Sequence, residues 1–262
     1  MINFRNYPQL TKVVIPNAIN LKNNNFSNAF KHLSNLVSVD LHNGVSNISY
    51  GFYNCINLTT AVCGPNVTNL SYAYDNCANL TTAACGPNVI YMNNTYSNCT
   101  NLRAAVCGSN VIDMVNTYYN CINLTTAVCG PNVTDMQQAY GDCKNLTTAV
   151  CGPNVINMKY TYSNCTNIQG NTYFYSKYIQ SCERCFGSRS LSNRLNIYVH
   201  ANTTTNTTVH RENYKSLEGN LITWTNAGDY QYNTYYNIYI YPVANVEEAR
   251  IANGDPDYMG VI

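Results

Sequence analysis

A 22-residue pattern written five times over decides what this chain can fold into. Copies begin at Cys55, Cys77, Cys99, Cys121 and Cys143, and a sixth opens at Cys165. The first reads Cys55-Ile-Asn-Leu58-Thr-Thr-Ala61-Val62-Cys63-Gly64-Pro65-Asn66-Val67-Thr-Asn-Leu70-Ser-Tyr-Ala73-Tyr74-Asp-Asn. A period of this length means a solenoid, in which each unit buries its apolar face only against its neighbours. The 262 residues therefore read as one continuous core, not as two globular domains.

Within a unit, Leu58 to Cys63 reads as a short strand with Leu58, Ala61 and Cys63 inward and Thr60 and Val62 outward. Gly64-Pro65 ends it. Val67, Leu70, Ala73 and Tyr74 form the inward set of a return whose spacing of three suggests a short irregular or 3₁₀ path. The expected architecture is thus a repeat solenoid with one short parallel strand and one short return per unit. Residues 1–54 read as N-terminal capping and irregular repeats, with Leu41 and Phe52 where later units carry Cys63 and Tyr74. Residues 55–169 are the regular array, 170–200 the irregular last repeats, and 201–262 a β-rich cap and tail. In the cap, Leu195 to Val199, Leu221 to Thr225 and Tyr235 to Tyr241 suggest strands, Val209 to Leu217 a short helix, and Asn245 onward a helical turn.

The thirteen cysteines invite a disulfide reading that their spacing opposes. Six fall in one 22-residue column and five in another, leaving Cys182 and Cys185. Stacked equivalents lie about 4.8 Å apart with parallel Cα–Cβ bonds, whereas a disulfide wants Cβ atoms about 3.8 Å apart and facing. Reduced, buried thiols are the expectation. The tyrosine column Tyr74, Tyr96, Tyr118, Tyr140 and Tyr162 replaces Phe30 and Phe52, so it reads as stacked core and not as a sugar-binding stripe. The recurrent Asn-x-Thr triplets, such as Asn57-Leu-Thr and Asn66-Val-Thr, read as a structural asparagine ladder before they read as glycosylation sites.

At this point the residues resemble a known family. Cys121-Ile-Asn-Leu124, Ala139-Tyr140, and Ile15-Pro16 with Ala29-Phe30 in the first unit are similar to the BspA-like, or Treponema-type, leucine-rich repeat, over residues 8 to about 200. The resemblance implies a right-handed solenoid and adhesion through protein or glycan recognition. Lacking an evident leader or anchor, the Asn- and Tyr-rich array also looks like those encoded in gut bacteriophage genomes.

Charge narrows the function classes. Only 10% of the residues are charged, the net charge is +1, and residues 51–170 carry seven charges, too few to bind nucleic acid by phosphate neutralisation. No apolar run approaches the roughly 20 residues that span a bilayer, so no membrane insertion is expected. The first residues do not form a secretory leader, so a virion or cell-surface location would be reached by assembly or release, and the chain would otherwise be cytoplasmic. Cys182-Glu-Arg-Cys185 lacks the second pair of ligands that zinc requires, and His32, His42, His200 and His210 have no partner at fixed spacing. No catalytic residue, metal or cofactor is expected. Candidate contacts are the outward positions. On the sheet face these are Thr60, Val62, Thr82, Val106, Thr126, Val128, Thr148 and Val150, a stripe of the kind that marks a partner surface. On the return face, Tyr72, Asn94, Asn116, Gln138 and Tyr160 vary while their flanks do not. The expected role is a non-enzymatic binding or adhesion solenoid that is virion-associated or at a surface. Its expected partners are a protein or glycan receptor, neighbouring subunits, or further copies through the C-terminal region. A structural decoration or fibre part, or a bacterial adhesin, is the alternative.

Overall fold

The return half of each unit, not the strand half, carries the regular hydrogen-bond ladder. The computed structural model describes residues 3–15, 25–83, 85–176, 179, 185–186, 194–200, 231–233 and 238–255. Phe30, Phe52, Tyr74, Tyr96, Tyr118 and Tyr140 donate their backbone N–H groups to Gly51, Ala73, Thr95, Thr117, Ala139 and Thr161, all in the following unit, at 2.8–3.0 Å. Between these links the chain folds back on itself in tight turns, such as Ala73 N–H to Leu70 (2.8 Å) and Cys77 N–H to Tyr74 (3.0 Å). Of the irregular or 3₁₀ return expected, the irregular path is the one that forms. A 3₁₀ run would spend every N–H inside its own unit. Here two left-handed residues per unit, such as Tyr72 (φ 57°) and Asn76 (φ 62°), interrupt the turns. Each aims its N–H at the next unit, Tyr72 to Asn93 at 3.0 Å and Asn76 to Ser97 at 2.9 Å. A parallel line of single bridges, Asn25 through Asn47, Asn69, Tyr91, Asp113 and Asp135 to Asn157, runs beside this ladder.

The strand half follows the expectation only at its N-terminal end. Strands β1 (Lys12–Ile15), β2 (Ser38–Leu41) and β3 (Thr60–Val62) pair in parallel in that order. Beyond β3 a single bridge joins Thr60 to Thr82, and among the described residues no strand forms again until β4 (Gly170–Phe174). The reason is the change from Phe to Tyr in the core column. The hydroxyl of Tyr140 accepts the N–H of Val128 at 3.0 Å and donates to its carbonyl at 2.5 Å. Tyr162 does the same to Val150 at 2.8 and 2.6 Å. Tyr118 holds both backbone groups of Val106 in this way. One side chain thus takes the donor and the acceptor that a neighbouring strand would have bonded, and the local demand for a ladder disappears.

The core is a set of columns. Aromatic rings stack without a break from Phe4 through Phe30, Phe52 and the five tyrosines to Phe186, with centroids 4.9–5.6 Å apart. Each near-parallel pair contributes about 0.5–1.5 kcal/mol beyond its buried area. Leu58, Val67, Leu70, Ala73 and Tyr74 are fully buried, as their spacing implies. At the unit corner backbones approach closely, and a Cβ on Gly86 would lie 2.8 Å from the carbonyl oxygen of Gly64, so only glycine fits there. All twelve described cysteines are free thiols, and Cys182 lies outside the described residues. The thiols of the first column act as buried donors: those of Cys55, Cys77, Cys99, Cys121, Cys143 and Cys165 bond the carbonyls of Phe30, Phe52, Tyr74, Tyr96, Tyr118 and Tyr140 at 2.9–3.2 Å. In the second column Cys85, Cys107 and Cys129 each meet a methionine sulfur at 3.5–3.7 Å.

The C-terminal end is closed by a second sheet in the order β4-β5-β7-β6, built with β5 (Leu195–His200), β6 (Gln231–Asn233) and β7 (Ile238–Val243). The first three strands are parallel and β6 is antiparallel. Tyr173, Tyr198 and Tyr241 stack across it in register at 5.0 and 5.1 Å. The expected turn after Asn245 is a helix, α1 (Val246–Asn253), N-capped by Asn245 and ended by left-handed Gly254. It packs on β4 and β5, and Asn171 reaches Asp255 at 2.8 Å. The suggested segments Val209 to Leu217 and Leu221 to Thr225 lie outside the described residues.

Two outcomes test this account. Tyr74 is the first tyrosine of the column, and its buried hydroxyl has no partner beside strand β3. Tyr74→Phe should therefore stabilise the chain by about 1 kcal/mol, whereas Tyr140→Phe should cost about 2–3 kcal/mol by orphaning both backbone groups of Val128. Urea denaturation of the two variants measures the contrast, and equal effects would refute the hydroxyl-for-strand exchange. The second outcome concerns pH. Burial raises the thiols of Cys55, Cys63 and Cys129 to about 12 and that of Cys85 to about 11. Because the folded pKa exceeds the unfolded one, this stability is fully present below the unfolded value and lost as pH rises towards the folded one. Thermal unfolding should be flat up to about pH 8 and fall steadily above about pH 9.

Candidate functional site

The sheet-face residues do not form the continuous stripe their spacing suggests. Val62 is 50% exposed, and Thr60, Thr82 and Thr126 are exposed. Val106, Val128 and Thr148 are half-buried, and Val150 is buried at 3%. Val150 as an outward contact is thus corrected. The tyrosine hydroxyls hold the backbones of Val106, Val128 and Val150, and at Val150 the following unit closes over the edge, where the hydroxyl of Thr172 donates to Ala149 and Tyr175 N–H to Cys151. The apolar exposure that remains gathers at the N-terminal end, at Val14 (48%), Val37 (44%) and Val62. Val14, Asp40 and Val62 are in register across β1, β2 and β3.

On the return face, Tyr72, Asn94, Asn116, Gln138 and Tyr160 all occupy the left-handed region, with φ between 53° and 57°. Asn tolerates that region, but Tyr and Gln are strained there, so the inter-unit ladder must hold them. All five are half-buried. Tyr50 and Tyr72 stack face to face at 4.4 Å and 5°, which covers one face of each ring. Burial, then Tyr72, raises the phenol of Tyr50. The ammonium of Lys159 sits 5.5 Å above the ring of Tyr160. Asp75, near Tyr50, is buried with its carboxyl raised, burial outweighing the bond from Asn98.

An open groove lies where neither set of residues pointed. A groove of about 700 Å³ runs along the array just past the Gly-Pro corner. One wall is a ladder of asparagines, Asn66, Asn88, Asn110, Asn132 and Asn154, and the floor is Thr68, Ile90, Ile112 and Thr134. Each asparagine donates one amide N–H to the unit behind it, to Asn43, Pro65, Pro87, Ser109 and Pro131 respectively, at 2.8–2.9 Å. That bond fixes the side chain, and the exposed amide keeps its oxygen and second N–H for a ligand. The floor is equally fixed: the N–H groups of Ile90, Ile112 and Thr134 bond Thr68, Ile90 and Ile112 in succession at 2.9–3.0 Å. No lining side chain carries a charge. The spacing held the signal, since Asn66 and Thr68 flank the buried Val67 and must both face outward.

Among the described residues no three His, Cys, Asp or Glu side chains converge on one point. His32 meets Asn54 at 3.2 Å and His42 meets Asp40 at 3.3 Å, in separate units. Cys185 is buried, and no helix among the described residues is long and apolar enough to cross a membrane.

Comparison with known proteins agrees with this architecture. The BspA type leucine rich repeat region matches the chain in six copies, over residues 2–116, 26–147 and 93–218. A solved leucine rich repeat protein of T. pallidum is 17% identical, with a TM-score of 0.50 over 60% of this chain and 78% of that one. A leucine-rich repeat protein from Bacteroides ovatus is 17% identical, with a TM-score of 0.47 over 76% of this chain and 49% of that one. At such identity the T. pallidum likeness shows a shared fold alone. No curated protein sequence matches the chain.

Proposed function

Because the chain belongs to the BspA type leucine-rich repeat family, we propose that it is a non-enzymatic binding solenoid, displayed on a virion or a cell surface, that meets a receptor or a neighbouring subunit along its flank. The observation that carries this reading is where the polar groups go. Inside the array, backbone groups and the first-column thiols are bonded unit to unit and the hydroxyls of Tyr118, Tyr140 and Tyr162 within their own units, while an uncharged groove and the exposed Val14 and Val62 at the N-terminal end stay open. A surface of neutral amides, hydroxyls and isolated aliphatic residues suits recognition by shape and hydrogen bonding more than by charge. The virion assignment rests on style of sequence and the low charge, and is tested by location.

Mass spectrometry of purified particles and of washed cell envelopes from the producing organism should recover the chain with one of them; recovery only from the cytosol would overturn the display reading. Val62→Asp, on an exposed outward position of β3, should leave the melting temperature within about 2 °C of the parent. The same substitution should lower retention on that particle or envelope severalfold, and unchanged retention would remove the N-terminal sheet face from the contact.

A further inference from the structure

We propose that the asparagine-lined groove holds a neutral polysaccharide with equatorial 1,4 linkages, one sugar per unit. This rests on the binding reading above and names the ligand class for one of its surfaces. Spacing comes first. The groove repeats at the separation of stacked units, about 4.8 Å. A polypeptide laid along it is out of step, since an extended strand advances about 3.3 Å per residue. A polyproline helix advances about 3.1 Å, so three of its residues nearly match two units. It would use only alternate asparagines, however, and such helices dock in aromatic-lined clefts, whereas the groove has no aromatic side chain. An equatorially 1,4-linked pyranose chain is a flat ribbon that advances by close to one unit per sugar with alternate sugars turned over, so every asparagine meets a sugar edge, presenting its O2/O3 side and its O6 side in alternation.

Chemistry agrees with spacing. A sugar hydroxyl both donates and accepts, and each of the five amides offers an oxygen and an N–H in an orientation already fixed by its bond to the unit behind. Ile90 and Ile112 give the ribbon's C–H face an apolar floor, and Ile112 is 37% exposed for the purpose. The lining carries neither cation nor anion, which selects against uronate, sialyl or phosphate-bearing chains and in favour of neutral ones. Because the wall and floor are held by inter-unit bonds, little side-chain freedom is lost on binding.

Isothermal titration of the full-length chain with cello- and chito-oligosaccharides, from disaccharide to hexasaccharide, tests this directly. Affinity for one of the two series should climb with each sugar up to the pentasaccharide, level off there to match the five asparagines, and stay unchanged between low and high salt. Ile112→Lys should weaken pentasaccharide binding by about tenfold or more, with thermal unfolding as in the parent; Asn110→Ser, which keeps a hydroxyl but shortens the reach, should weaken it less. Absence of binding by either series, affinity that does not grow with length, an unaffected Ile112→Lys variant, or binding of a proline-rich peptide instead would each overturn the proposal. Val62→Asp should leave oligosaccharide binding intact while it lowers surface retention, so loss of the sugar in this variant would defeat the groove assignment alone, and unchanged retention with the sugar still bound would defeat the sheet-face contact alone.

Discussion

Each unit's return must send its N–H groups out of its own turn and into the next unit. That requirement places left-handed residues four apart, as at Asn94 and Asn98 or Gln138 and Asp142, and it makes the short turns additive along the axis. A solenoid without this link would be a string of marginal turns, because a single turn fixes several dihedrals for one hydrogen bond. With it, the buried columns come into register, and the aromatic stack, the thiol donors and the asparagine wall follow from the same repeat.

The tyrosine column shows how one atom can redirect a backbone. Phe30, Phe52 and Tyr74, whose hydroxyl is unpartnered, accompany the units whose strands pair as β1, β2 and β3. Where Tyr118, Tyr140 and Tyr162 take over, the same ring position brings a hydroxyl to the N–H and carbonyl of a residue twelve positions earlier, and the strand is no longer needed. The ring stacks as a phenylalanine would, so the core is unchanged while the sheet edge is replaced by a side-chain clasp.

The sequence was readable wherever a repeated position has a single physical demand. Leu58, Val67, Leu70 and Tyr74 are buried as their spacing requires, and the thiols are free because stacked cysteines cannot face one another. Legibility failed where one residue serves two ends. Asn66 was legible as a ladder residue and is one, donating to Asn43, but that same bond presents it as a groove wall. Phe to Tyr looks conservative in a core column, so the lost strands gave no sign. Val150 reads as outward by alternation, and only the Tyr162 clasp and the unit that follows make it buried. The left-handed positions of Tyr72 and Tyr160 could not be inferred from tyrosine, a residue that disfavours them, although the neighbouring column of Asn54, Asn76, Asn98, Asn120 and Asn164 advertised the conformation.

The change from Phe to Tyr also sets a boundary inside an otherwise uniform array. On one side units are joined by two ladders, strand and return; on the other the strand ladder is gone and the return ladder carries the backbone links, with tyrosine clasps acting within each unit. Tyr74 stands at the junction with its hydroxyl buried and unpartnered, beside the last strand of the first sheet. In a one-dimensional array stability is a sum of unit and interface terms, so the weakest interface decides where cooperativity breaks. The junction near Val62 and Thr82, joined on the strand side by a single bridge, is where the strand ladder ends, and the groove begins in the very same unit, at Asn66 and Thr68. A ligand lying along the groove would span the array from that junction onward, so occupying it would tie together units that the backbone there joins without a strand ladder.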